Sequence, residues 1–103
     1  MSNDEMTREE QLKKIIKHYG TYHQLKYLQT EFFEFSEAVL SGDKKHIAEE
    51  LSDVLVMLSQ FKEFYNISDK DIEKEMDFKI SRQLNRIEYS NDANSKKEGQ
   101  YAD

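Results

Sequence analysis

The chain has 103 residues, 35% of them charged, with a formal net charge of −6 and neither proline nor cysteine. This length predicts one domain with a small core, and the shortage of helix breakers favours long helices over a sheet. The composition excludes disulfides and thiol chemistry and argues against binding to nucleic-acid polymers. The apolar runs are too short for a membrane span, and no signal peptide is evident, so a cytoplasmic protein is expected.

The first helix is predicted to begin near Arg8 and to end at Gly20. Thr7 and Glu10 have the spacing of a capping box, in which each side chain bonds the backbone N–H of the other residue. Glycine is the residue that most often closes a helix. The apolar residues of this helix, which we expect to face the core, are Leu12, Ile15, Ile16 and Tyr19.

The second helix is predicted to run from Thr21, whose spacing from Gln24 repeats the capping signal, to Gly42. Its large apolar residues are spaced three and four apart, as in a heptad seam, and we expect them to face the core. They are Leu25, Leu28, Phe32, Phe35 and Val39.

The third helix is predicted to begin after Asp43, a good N-cap residue, and to end at Asn66 in the left-handed conformation. Its apolar residues are the most numerous, so we expect it to be the most buried element. They are Ile47, Leu51, Val54, Leu55, Leu58, Phe61 and Tyr65.

The fourth helix is predicted from a weaker capping signal at Ser68 and Asp71, with its apolar residues inward: Ile72, Met76, Ile80, Leu84 and Ile87. Short connections favour antiparallel neighbours, so the predicted fold is an all-α, antiparallel four-helix-type bundle over residues 1–89. Residues 90–103 are polar and are predicted to form a disordered tail.

Two carboxylate pairs on successive helices are candidate metal ligands. Glu31 and Glu34 are three residues apart, as are Glu50 and Asp53, so each pair lies on one side of its helix. Helical geometry puts both pairs on equivalent flanks, roughly 70° to 140° from the apolar seams. Four such carboxylates repel one another unless a cation lies among them, and Mg²⁺ prefers oxygen ligands. A solvated acidic surface is the alternative for either pair alone.

These residues resemble the MazG-like family of all-α nucleoside triphosphate pyrophosphohydrolases, relatives of the dimeric dUTPases. The family signature is ExxE, a spacer and then ExxD, and here it is Glu31-Phe-Phe-Glu34 followed by Glu50-Leu-Ser-Asp53. Residues 35–39, 47–55 and 79–82 resemble the segments that surround the signature in the family, and the resemblance covers roughly residues 16–87.

The resemblance implies a Mg²⁺-dependent enzyme, with Mn²⁺ as a substitute, that converts a nucleoside or deoxynucleoside triphosphate to the monophosphate and pyrophosphate. Water would attack the α-phosphorus. Glu31, Glu34, Glu50 and Asp53 would bind the metal. Glu34 and Glu50 would be catalytic, with Glu34 preferred as the general base.

The resemblance also implies that Lys79 and Arg82 bind the substrate phosphates, although pairing with nearby surface acids is an equally good interpretation. The base is expected in an aromatic and apolar pocket between the first two helices. His23, Gln24 and Tyr27 are its candidate residues from their position, and each is also compatible with an ordinary surface role.

Three apolar residues, Phe33, Val56 and Phe64, lie off the seams and predict a second apolar face. We therefore expect a homodimer or homotetramer with active sites near the subunit interface. The alternative function is a non-catalytic helical interaction module, such as an inactive relative that acts as a regulator. The presence of all four acids favours the enzyme.

Overall fold

The computed structural model describes the backbone of residues 5–94 and the side chains of residues 5–90. Over that range the chain forms four α-helices and no β-strand, which confirms the predicted all-α fold. The helices are α1 (Arg8–Tyr19), α2 (Thr21–Ser41), α3 (Lys44–Phe64) and α4 (Asp69–Asn94). They fall into two compact units, one with α1 to α3 and one with α4.

Three of the four helix N-termini in the described range are capped by the side chains that the sequence indicates. The Thr7 hydroxyl accepts the Glu10 N–H and the Glu10 carboxylate accepts the Thr7 N–H, both at 3.1 Å, which completes the capping box. Asp43 caps α3 by accepting the N–H two residues further on. The Ser68 hydroxyl accepts the Asp71 N–H at 3.1 Å.

The start of α2 differs from the prediction. Thr21 is the first helical residue, Gly20 takes the N-cap position, and no side chain caps this end. Gln24, the expected capping partner, is buried instead, and its amide bonds a side chain of α3. Gly20 has a φ of 90°, so the junction between α1 and α2 depends on glycine's backbone freedom rather than on a cap.

The unit of α1 to α3 has a small apolar core in which α3 packs against both other helices. Leu28, Val54 and Met57 form its centre, and Phe35 and Phe61 pack against them half-buried. α1 contributes one fully buried side chain, Ile16.

The buried face of α2 lies one residue away from the predicted seam. Its buried residues are Gln24, Leu28, Glu31 and Ala38. Three predicted seam residues are 45–47% exposed instead, namely Leu25, Phe32 and Val39. Neighbouring positions lie about 100° apart around a helix. Compared with the predicted seam, the packed face is therefore rotated toward the side of α2 that carries the acidic pair. Glu31 lies inside the unit rather than at its border.

The buried face of α3 is turned in the same sense. Val54, Met57 and Gln60 are buried, and Glu50 is half-buried. Three predicted core residues are 42–52% exposed, namely Leu51, Leu55 and Leu58. With the exposed residues of α2 they make up what we call the exposed apolar face: Leu25, Phe32, Val39, Leu51, Leu55 and Leu58.

α4 begins where predicted and runs to Asn94, so residues 90–94 are helical rather than part of a tail. The rest of the predicted tail, residues 95–103, lies outside the described residues. Four side chains expected to face the core are 51–57% exposed: Met76, Ile80, Leu84 and Ile87. None of the helices between residues 5 and 94 is long and apolar enough to span a bilayer.

Gly42 supplies a first test of the connection between α2 and α3. It has a φ of 74°, and a Cβ there would meet no atom within 4 Å, so a substitution meets only backbone strain. We expect Gly42→Ala to lower the free energy of unfolding by about 1–2 kcal/mol, and Gly42→Asn to cost less because asparagine tolerates this conformation. Urea denaturation measures both. Equal stability of Gly42→Ala and the wild type would contradict the left-handed turn.

Candidate functional site

Three acidic side chains from α2 and α3 converge. One carboxylate oxygen from each of Glu31, Glu50 and Asp53 lies within 4.8 Å of the other two. Glu31 is only 5% exposed, Glu50 is half-buried and Asp53 is exposed. The cluster therefore extends from the interior of the unit to its surface, so that a small cation can reach it from solvent.

Glu34, the fourth predicted ligand, lies beside this group without being part of it. Its side chain is exposed and shares a hydrogen bond with the Glu50 carboxyl. Two carboxyls can share a hydrogen bond only when one of them carries a proton. This contact therefore favours the protonated form of Glu50 and is one of the causes that raise its pKa.

The surroundings of the cluster disfavour ionised carboxylates. Burial is the main cause that raises the pKa of Glu31, followed by the charges of Glu34, Asp53 and Glu50. Burial is also the main cause that raises the pKa of Glu50, followed by the charges of Glu34 and Asp53. Negative charge is thus concentrated where water is partly excluded, which a bound cation would offset.

Two carboxylate oxygens, Oε2 of Glu31 and Oε2 of Glu50, are buried and have no hydrogen-bond partner among the described residues. A buried polar atom left unpaired costs about 1–3 kcal/mol, so such atoms are rare in folded proteins. A hard divalent cation in the cluster would supply such an interaction. The donor set, oxygen atoms only, fits Mg²⁺ or Mn²⁺.

Tyr27 interacts with Glu31 from one turn earlier in α2. Its hydroxyl donates a hydrogen bond to the Glu31 carboxylate, which lowers the pKa of Glu31 against the stronger causes that raise it. The Glu31 charge in turn is the main cause that raises the pKa of Tyr27, so the phenol keeps its proton and remains a donor. A bond of this kind orients a carboxylate toward a metal.

A pocket of about 390 Å³ adjoins the acidic cluster. Its volume is in the range of small-molecule sites. Glu31 and Asp53 line it together with the three residues predicted for the base, His23, Gln24 and Tyr27. The remaining lining residues come from α1 and α3: Ile15, Tyr19, Val56, Met57 and Gln60.

The sequence analysis placed this pocket between the first two helices and missed the contribution of α3. Val56 was assigned to a subunit interface, while Met57 and Gln60 were not singled out. Gln60 lies six residues after Val54 on the buried side of α3. A glutamine at that position, within a run of apolar residues, is the local signal that could have indicated a polar contact inside the unit.

On one side of the pocket, buried amide side chains of α2 and α3 are hydrogen-bonded to each other. The Gln24 Nε2 donates to the Gln60 Oε1 at 2.8 Å, and the Gln24 Oε1 lies 2.8 Å from the His23 Nδ1. The Gln60 Nε2 in turn lies 3.7 Å from the Met57 sulfur. The Tyr19 ring stacks on the His23 ring with centroids 5.0 Å apart, so the pocket has both hydrogen-bonding and flat aromatic surfaces.

Lys79 and Arg82 lie on α4 and contact neighbours on that helix. The Lys79 Nζ is 3.3 Å from a Glu75 carboxylate oxygen, and the Arg82 guanidinium is 5.9 Å from the centre of the Phe78 ring. The Lys79 contact is the surface ion pair that the alternative interpretation expects, whereas the Arg82 contact is with an aromatic ring rather than an acid. Such exposed contacts contribute little energy and can be exchanged for a phosphate, so a role in phosphate binding stays a prediction.

The chain matches the family model described as the MazG nucleotide pyrophosphohydrolase domain over residues 21–87. This span is well over half of the chain, runs from the start of α2 into α4, and includes both acidic pairs. Searches of curated proteins and of solved structures gave no significant match.

Replacement of Glu31 tests the electrostatic account of the cluster. The raised pKa means that the folded protein binds more protons than the unfolded chain, so the stability contributed by Glu31 falls as pH rises above its ordinary value of 4.5. Without metal, Glu31→Gln should therefore raise the free energy of unfolding at pH 7 by about 1–2 kcal/mol, and by less at pH 4.5. Urea denaturation in EDTA measures the difference.

The matched control is Glu37→Gln, at an exposed position of the same helix, which should leave stability nearly unchanged. A Glu31→Gln protein less stable than the wild type in EDTA would mean that the carboxylate makes a stabilising contact, contrary to the account given above.

Tyr27→Phe tests the orientation of Glu31. Loss of the hydroxyl removes the hydrogen bond that holds the carboxylate, so the affinity for Mg²⁺ or Mn²⁺ should fall by about tenfold while the fold is kept. Calorimetric titration of metal-free protein measures this, with Tyr22→Phe, at an exposed tyrosine of α2, as the control. Equal affinities in both variants would remove Tyr27 from the metal site.

Proposed function

The chain belongs to the MazG nucleotide pyrophosphohydrolase family, and we propose that it is a Mg²⁺-dependent pyrophosphohydrolase of nucleoside triphosphates in the cytoplasm. The reaction is attack of water at the α-phosphorus, which breaks the bond to the bridging oxygen and releases pyrophosphate and a nucleoside monophosphate. The observation that supports it best is the convergence of Glu31, Glu50 and Asp53 beside a pocket large enough for a nucleoside.

The metal would be held by Glu31, Glu50 and Asp53, with Glu34 as a further ligand from the edge of the cluster. The unpaired oxygens of Glu31 and Glu50 support this assignment. When bound, Mg²⁺ supplies positive charge that offsets the triphosphate and makes a water molecule more acidic. Mn²⁺, which accepts the same oxygen ligands, is expected to replace it.

Glu34 is the candidate general base. Its exposed carboxylate can accept a proton from a water molecule that enters from solvent, and it lies close to Glu50 at the edge of the cluster. Glu50 acts in this proposal as a metal ligand next to the base.

The nucleoside would occupy the 390 Å³ pocket, where His23, Gln24 and Tyr27 are the predicted contacts. Gln60 and Met57 join them on the α3 side. The pocket and the acidic cluster share Glu31 and Asp53 as lining residues, so a nucleotide bound there would have its α-phosphate near the metal ligands.

We also propose that the protein is a homodimer or homotetramer. The six large side chains of the exposed apolar face are each 42–52% exposed, and exposed apolar patches often mark protein–protein interfaces. Of the residues first predicted for an interface, Phe33 and Val56 are 65% and 47% exposed, and Phe64 is half-buried. Because Val56 also lines the pocket, a second copy packed there would lie next to the active site.

The main test is pyrophosphate release from a panel of ribo- and deoxynucleoside triphosphates with Mg²⁺. Glu50→Gln and Asp53→Asn remove metal ligands and should each lower kcat/KM by at least about 100-fold. Glu49→Gln, one residue away on the exposed side of α3, is the matched control and should keep activity. A folded protein that is inert on the whole panel, with no stabilisation by Mg²⁺, would favour the non-catalytic interaction module instead.

Variants of α4 test the phosphate ligands separately. Lys79→Ala and Arg82→Ala should each raise KM for the triphosphate about tenfold, because each removes a charge-assisted hydrogen bond to phosphate. Lys74→Ala, at another exposed position of α4, is the control. Steady-state kinetics measure KM for each variant. An unchanged KM in both variants would mean that Lys79 and Arg82 do not bind the phosphates.

A further inference from the structure

We infer that the buried amide pair of Gln24 and Gln60 selects nucleobases that carry a carbonyl oxygen over those that carry an amino group at the same ring position. The inference rests on the proposed nucleotide substrate and adds to it the class of base. Three observations support it: both amides are buried, their hydrogen bonds have a defined direction, and those bonds leave one N–H of each amide unused.

Both side chains are almost completely buried, Gln24 at 4% exposure and Gln60 at 2%, and both line the pocket beside the acidic cluster. Buried amides are tolerated only when they are hydrogen-bonded. Here each amide bonds the other across the contact of α2 with α3, at 2.8 Å. The pair is therefore a fixed polar surface in a pocket whose other α3 residues, apart from Asp53, are apolar.

The direction of the bonds is set by Met57. A thioether sulfur is a weak acceptor, so the group that faces it at 3.7 Å is the amide N–H of Gln60 rather than its oxygen. The Gln60 oxygen is then turned to Gln24, which must present its own N–H. The Gln24 oxygen in turn accepts a hydrogen bond from the His23 Nδ1.

The bonds use both amide oxygens and one hydrogen of each NH₂ group. One N–H of Gln24 and one of Gln60 are left over in this network. Each oxygen already accepts one hydrogen bond, and an unused second lone pair is tolerated better than an unpaired buried N–H, so what the pair requires of a ligand is an acceptor. A donor pairs with the carbonyl oxygen of uracil, thymine, hypoxanthine or guanine. An amino group at the same position would set donor against donor and leave buried N–H groups unpaired, which is costly.

The experiment compares two matched substrate pairs, dUTP with dCTP and dITP with dATP, whose bases differ by a carbonyl oxygen or an amino group at one ring carbon. For each pair that is accepted, we expect the carbonyl base to have a kcat/KM at least about tenfold higher. Calorimetric titration with the corresponding monophosphates, dUMP against dCMP and dIMP against dAMP, measures the same preference without any need for turnover.

Gln60→Met removes the amide without introducing a charge, and it should bring the ratio within each pair close to one. Gln60→Glu replaces the donor by acceptors and should bring the ratio to one or reverse it. Gln29→Met, at an exposed glutamine of α2, is the matched control and should keep the wild-type ratio.

The possible outcomes distinguish the inference about the base from the proposed reaction. Hydrolysis with no preference for the carbonyl base, or a preference that survives in Gln60→Met, would overturn the inference and leave the proposed reaction intact. A carbonyl preference in monophosphate binding, lost in Gln60→Met but accompanied by no hydrolysis of any triphosphate, would support the inference and overturn the proposed reaction. Failure to bind or hydrolyse any of the nucleotides would overturn both.

Discussion

Repulsion between carboxylates brought together by α2 and α3 is the constraint on which the rest of the α1–α3 unit depends. The two helices form the largest contact of the unit and would gain nothing from placing like charges inside it. The chain offsets this repulsion only in part, through the Tyr27 hydroxyl, whose hydrogen bond lowers the pKa of Glu31. What remains is a concentration of negative charge that a bound cation would offset.

Glu31 shows how stability and function are opposed at this position. A residue of similar size without a charge would pack at the same place with less cost, since Glu31 is buried with one oxygen unpaired. The apolar residues that could have filled the interior, such as Phe32 and Leu55, are about half exposed instead. The unit therefore buries three polar residues, Gln24, Glu31 and Gln60, and leaves much of its apolar surface exposed. This arrangement is consistent with the ligand pocket and the subunit interface proposed above.

The comparison of sequence and structure separates local from non-local information. Helix ends followed from local chemistry: the capping box at Thr7 and Glu10, the cap at Asp43, and the left-handed backbone of Asn66, with a φ of 56°, are all as predicted. The acidic pairs were recognisable because a spacing of three residues is itself local.

The orientation of α2 and α3 was not predictable in this way. Gln24 and Gln60 are buried because they bond each other across 36 residues of sequence, and no periodicity of large apolar residues contains that information. The missed pairing explains why the seams were placed one residue away from the faces that pack, and why Gln24 was taken for a helix cap.

The connection between α2 and α3 has a consequence for the order in which the molecule assembles. Only Gly42 and Asp43 separate the two helices, so the loop that must close before they pack is very short and its entropic cost is small. Contacts between residues near in sequence form rapidly, which favours the α2–α3 hairpin as an early structure during folding. The acidic cluster belongs entirely to that hairpin, whereas the pocket also needs Ile15 and Tyr19 from α1. A chain emerging from the ribosome would thus form the acidic cluster and the complete pocket as separate events, and the first could be in place before the second exists.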